Sequence, residues 1–88
     1  MTSYLIKMKT DSLKLSDLRI GQKATILNLE EDLKHKTRFT EMGIIPGKEI
    51  LLMQRYSKKG PLCIKIMGSF VMIRKENADK IILTLSNE

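Results

Sequence analysis

The sequence predicts a mainly β domain, a small closed or nearly closed antiparallel barrel of about five strands with one short inserted helix. Three observations carry that expectation. Short apolar runs with period-two alternation recur through the second half of the chain, at 62–67, 70–74 and 81–85. Turn residues separate them, at Pro46-Gly47, Gly60-Pro61 and Gly68. With 88 residues the chain holds one domain, and closing the sheet removes edges that so small a domain tolerates badly.

Each element follows from its residues. Residues 1–13 mix polar residues with a few apolar ones and read as a flexible arm, whose Tyr4, Leu5, Ile6 and Met8 can dock or add a short strand. The organised domain is expected over 14–85, with a tail at 86–88. Ser16 suits a helix N-cap, but Gly21 leaves room for one turn only, pinned by Leu15, Leu18 and Ile20. Residues 23–29 form a strand with Ala24 and Ile26 on one side and Lys23, Thr25 and Leu27 on the other. Asp32 is placed to cap a helix over 34–42 whose apolar face carries His35, Phe39 and Met42.

Gly43 supplies the positive φ that ends a helix, Ile44 and Ile45 extend, and Pro46-Gly47 fits a type II turn. The longest strand follows at 48–56, with Ile50, Leu52, Gln54 and Tyr56 on one side and Leu51, Met53 and Arg55 on the other. Leu62, Ile64 and Ile66 face inward in the next strand, and Cys63, Lys65 and Met67 outward. Gly68-Ser69 suits a type II′ hairpin, returning through a strand with Val71 and Ile73 inward. One helical turn at 75–79 and a last strand at 81–85 complete the chain.

Chemistry is sparse. One histidine and one cysteine, without a metal-ligand spacing, assign no metal residue, and no cofactor is called for. The methionines sit at regular positions in elements, where packing accounts for them. The Gly43–Lys48 stretch joins helix to strand and lacks the magnesium-holding hydroxyl, so it is not a phosphate loop. With no nucleophile set or carboxylate pair, an enzyme and a small-molecule substrate are not expected. No apolar run has membrane-span length, the N-terminal residues lack the apolar core of a signal peptide, and the lone cysteine fits a reducing compartment.

The net charge of +6 fits nucleic acid, an anionic membrane face, an acidic protein surface, or a solvated lysine coat. Nucleic acid is disfavoured by the few aromatics and the spread of the cations. Binding a protein is favoured. Lys34, Lys36 and Arg38 on the helix and Lys58 and Lys59 at a loop tip offer positive charge. Leu51, Met53, Cys63 and Met67 form an apolar strip edged by lysines unless the inserted helix covers that side, and both readings stay open here.

Taken in order, Leu15-Ser-Asp-Leu18, Gly21, Arg38-Phe-Thr-Glu-Met-Gly-Ile-Ile-Pro-Gly47, Gly60-Pro-Leu62, Gly68, Val71-Met-Ile-Arg74 and Ala78-Asp-Lys-Ile-Ile-Leu83 resemble the FeoA family of small bacterial ferrous iron transport proteins. The resemblance implies an SH3-like barrel with a helix inserted after the first strand. It also implies a cytoplasmic accessory role at the inner membrane face, bound to FeoB, the ferrous iron transporter that carries a GTPase domain. Similar domains occur fused to FeoB or to metal-dependent repressors, so a metal-sensing regulatory domain is one alternative function; a nucleic-acid-binding barrel, from the basic charge and the small-barrel fold, is the other. Gly43, Pro46, Gly47, Gly60, Pro61 and Gly68 are structural positions of the pattern. His35 departs from it, because the family more often has an apolar residue there.

Overall fold

A computed structural model describes residues 13–85. The proposed arm therefore lies, except for Leu13, outside the described residues, as do the tail at 86–88 and the docking of Tyr4, Leu5, Ile6 and Met8. The strands are β1 (Leu13–Lys14), β2 (Lys23–Leu29), β3 (Glu49–Arg55), β4 (Leu62–Ile66), β5 (Ser69–Ile73) and β6 (Ile81–Leu85). The helices are α1 (Lys36–Glu41) and α2 (Lys75–Ala78), and a 3₁₀ turn covers Leu15–Asp17. All strand pairs are antiparallel, in the order β1-β6-β2-β3-β4-β5. The sheet curls around one apolar cluster with no buried polar side chain among the described residues. Leu13, assigned to the arm from sequence, pairs with Leu83 in this sheet.

Two bulges set which residues reach the core. In β2 the register shifts between Ile26 and Asn28, so Leu27 is extra and exposed while Leu29 turns inward and is buried. In β3 it shifts between Leu52 and Gln54. Strict alternation would put Gln54 and Tyr56 with Ile50 and Leu52; the bulge exposes both and turns Arg55 toward the barrel end instead. There Arg55 Nη2 donates to the carbonyls of Ser16 (3.0 Å) and Leu18 (2.5 Å), tying β3 to the 3₁₀ turn. β3 is no longer than β2.

The opening turn differs from its predicted cap. Asp17 Oδ2 accepts the Lys14 N–H at 3.1 Å, and the Ser16 hydroxyl reaches across to Asp79 Oδ1. Leu15 and Leu18 are buried, but Ile20 is exposed. Asp79 also accepts Lys75 Nζ, at 3.0 Å to Oδ2. The Ser16 hydroxyl first, and Lys75 second, hold the Asp79 carboxyl below the ordinary aspartate range. A carboxyl lowered in the folded state stabilises above its ordinary pKa and loses that contribution as pH falls through the folded value. Urea unfolding should therefore show stability declining below about pH 4, and Asp79→Asn should be less stable at neutral pH with a flatter acid limb. An unchanged acid limb would exclude Asp79 as a contributor.

Helix α1 starts later than expected and without the Asp32 cap. Asp32 instead pairs with Lys80 at 2.8 Å, and Leu33 is buried ahead of the helix. His35 precedes α1 in the left-handed region, at φ 61°, and is exposed. The predicted apolar face of α1 thus reduces to Phe39, since Met42 is also exposed.

The helix end matches its prediction. Ile44 N–H donates to Phe39 O and Gly43 N–H to Thr40 O, both at 3.0 Å, a Schellman closure with Gly43 at φ +95°. Phe39 and Ile44, the pair such a closure brings together, are both buried. Lys48 N–H then closes the Pro46-Gly47 type II turn on Ile45 O at 3.2 Å, with Gly47 at φ +94°. The turn is stitched to β2, because Gly47 N–H donates to Ile26 O and Ile26 N–H to Lys48 O. The Arg38–Gly47 stretch thereby sets both the helix direction and the start of β3.

Candidate partner-binding surface

The β4–β5 hairpin builds this surface. Its tip is Met67-Gly68, not the predicted Gly68-Ser69. Both tip residues have positive φ, 51° and 82°, and Ile66 pairs with Ser69 across them, which makes a type I′ turn. That turn matches the twist of the strands and places Met67 at the outermost point, 67% exposed. Its sulfur lies beside the end of α1, where a Cβ on Gly43 would come within 2.9 Å of it.

The other strip residues lie on the outer face. Leu51 and Cys63 are half-buried, and Met53, the bulged residue, is exposed. Leu51 stands opposite Lys65, and Lys65 opposite Phe70; Cys63 stands opposite Met72. Residues directly opposite share a face of the sheet, so Phe70 and Met72 extend the strip across β5. Phe70 is 62% and Met72 53% exposed, and Lys65 Nζ sits 5.8 Å from the Phe70 ring centroid. Sequence reasoning left these two out of the strip, although the inward assignment of Val71 and Ile73 already sends them outward.

Of the predicted cations, Lys34, Lys36 and Arg38 are exposed at α1, and Lys58 and Lys59 are exposed in the loop between β3 and β4. Gly60 and Pro61 close that loop, with Gly60 N–H on Ser57 O and Tyr56 N–H on Pro61 O. The structure separates the two cation groups. Lys34 and Arg38 line a groove of about 900 Å³ between α1 and β5, whose opposite wall includes Phe70, Met72 and Arg74. Lys59 borders a second hollow further along β5, with Met72 and Arg74. Lys80, which also lines the groove, is engaged by Asp32; their hydrogen bond holds the Asp32 carboxyl below its ordinary range and raises Lys80.

The arrangement offers an apolar outer strip ending in a cation-edged groove. Contact area and charge are the features by which macromolecular surfaces are recognised. Among the described residues, no three His, Cys, Asp or Glu side chains converge as metal ligands, and no helix is long and apolar enough to cross a membrane.

Comparison with known proteins matches this architecture. A family model described as the FeoA domain matches residues 13–85. The chain is 35% identical over 69 residues to an Fe(2+) transport protein A/Fe(2+) transporter FeoB fusion protein of Porphyromonas gingivalis, covering 78% of this chain but 8% of that one. It is 30% identical over 71 residues to a putative Fe(2+) transport protein A of Campylobacter jejuni, covering 81% of this chain and 96% of the other. The solved FeoA of Stenotrophomonas maltophilia, a prokaryotic SH3 domain protein, superposes with TM-score 0.71 at 17% identity over 82% of this chain and 89% of that one. A manganese-dependent transcriptional repressor shares the fold alone, with TM-score 0.77 at 19% identity over 85% of this chain and 37% of the repressor. With an SH3-like barrel built around the Met-Gly-Ile-Ile-Pro-Gly turn, and a family match running from Leu13 to Leu85, the chain belongs to the FeoA family of ferrous iron transport.

Proposed function

We propose that the protein is a non-enzymatic cytoplasmic accessory of ferrous iron uptake, acting by binding a FeoB-type membrane transporter. One observation carries the reading: in the P. gingivalis relative, the matching segment and a FeoB transporter share one polypeptide. Fusion raises the effective concentration of two domains that bind one another, so it favours pairs whose separate forms also associate. The exposed apolar strip flanked by cations supports binding over catalysis, because it offers contact area without an acid–base or nucleophilic set.

The test is a pull-down of the protein with the transporter's cytoplasmic GTPase-bearing region and with the whole transporter in membranes. Retention by either is expected. Failure with both, together with a salt-dependent mobility shift on DNA or RNA, would replace the accessory reading with nucleic-acid binding.

A further inference from the structure

The groove beside β5 has an unusual lining. Phe70 and Met72 point to the outside of the barrel and Val71 toward the inside, yet all three border it. A groove touches both faces of a strand only when it runs along the strand's open edge. β5 stands at the end of the strand order. The two-residue tip makes Ile66–Ser69 a hydrogen-bonded pair, so Ile64–Val71 and Leu62–Ile73 are bonded pairs as well. The N–H and C=O groups of Phe70 and Met72 therefore face away from β4. No other hydrogen bond reaches them among the described residues. Unpaired strand groups of this kind template a further strand.

The side chains around that edge select what can add. Phe70 and Met72 on the strand and Met42 on the facing wall are exposed and apolar. Lys34 and Arg38 line one wall and Arg74 the end of the other, against one further carboxylate, Glu76, because Asp32 is paired with Lys80. We propose that the open edge of β5 accepts an extended segment of a partner protein as an added strand, one whose apolar residues alternate with carboxylates. Main-chain bonds to Phe70 and Met72 supply affinity, and the cations select the sign of the segment.

Charge argues against the other occupants. A second copy would bring the groove cations Lys34, Arg38 and Arg74 of one chain toward those of another, on a chain of net charge +6. The chain's own first twelve residues carry Lys7 and Lys9 against Asp11. The proposal rests on the reading that the protein acts by binding another protein, and it adds where and by what chemistry.

The test uses a short capped synthetic peptide alternating valine with glutamate and aspartate, its lysine-for-carboxylate counterpart, and two variants of the full chain. Met72→Pro removes an edge N–H that makes no bond to β4, the strand position where proline is tolerated. Arg38→Glu/Arg74→Glu leaves the ladder untouched. By NMR titration, the acidic peptide is expected to shift β5 and the α1 wall and to slow exchange of the Phe70 and Met72 amides. Each variant, its fold checked by spectral dispersion, should weaken binding by about tenfold or more. Equal binding of the basic peptide, shifts confined to another face, or wild-type affinity in the charge-reversed variant would overturn the proposal. Should Met72→Pro not fold, the charge-reversed variant carries the decision. Peptide binding at the edge without retention of the transporter would sink the transporter reading alone. Transporter retention unchanged by the charge reversal would sink the edge proposal alone.

Discussion

Replacing Gly43 by valine is expected to lower folding stability by about 2–3 kcal/mol, and partner binding with it. Gly43 holds φ +95°, where a β-branched side chain is strongly disfavoured. The same residue closes the Schellman motif through Thr40 O, so moving it to an ordinary φ would break the helix end and the Phe39–Ile44 pairing together. The steric contact is the smaller part. A Cβ at Gly43 would meet the Met67 sulfur at 2.9 Å, but that is the far end of a flexible side chain and can move. Gly43→Ala with Met67→Ala separates the two causes. The double variant should stay destabilised, because the backbone strain remains. At several degrees per kcal/mol for a domain of this size, the valine variant should melt about 10–20 °C lower by circular dichroism. Binding abolished at an unchanged melting temperature would mean that the turn itself touches the partner.

The second large effect is expected at Leu52. Leu52→Ala should cost about 3 kcal/mol, the usual range for truncating a fully buried leucine. Leu52 lies at the middle of β3, and its backbone also bonds Gly21 N–H and Gln22 O, at 2.8 and 3.1 Å. The cavity therefore opens where β3 is held against the start of β2 and cannot readily collapse. Leu51, next in sequence but on the outer face and half-buried, should lose less than about 1 kcal/mol on the same truncation. Chemical denaturation of the two variants reads the difference directly. Equal losses would mean that the outer strip is covered, and would remove the main support for an exposed contact surface.

These two substitutions mark how the fold was legible. Gly43, Pro46 and Gly47 were readable because each requirement is local: a positive φ or a preset φ constrains the residue type wherever the chain goes. The inward set of β4, Leu62, Ile64 and Ile66, was readable because its alternation is unbroken. Alternation failed where bulges intervened. Leu29 and Arg55 turn inward, and Gln54 outward, because one extra residue in a strand inverts every position after it. A bulge depends on the partner strand, which no short window of sequence contains.

The site divides in the same way. The outer positions of Leu51, Met53, Cys63 and Met67 came from periodicity, and the exposed cations from composition. Which of them meet came from pairing. Phe70 and Met72 join the strip only because β5 lies beside β4 in that register, and Lys34 and Arg38 border β5 only because α1 is carried there by the Gly43–Gly47 turn. Asp32, expected to cap, pairs instead with Lys80, 48 positions away, and Ser16 with Asp79, 63 positions away. Polar side chains near an element end have several partners within reach, and the nearest in space need not be near in sequence.

By itself the sequence determined the β class, the helix stop and turn over Arg38–Gly47, the apolar core residues of the unbulged strands, and the family pattern. These rest on local backbone preference and on period-two burial. The tertiary structure alone decided the bulges, the type I′ tip that exposes Met67, and the open edge of β5 facing α1. Each depends on which strands become neighbours, and that choice is made when distant apolar faces close on one core.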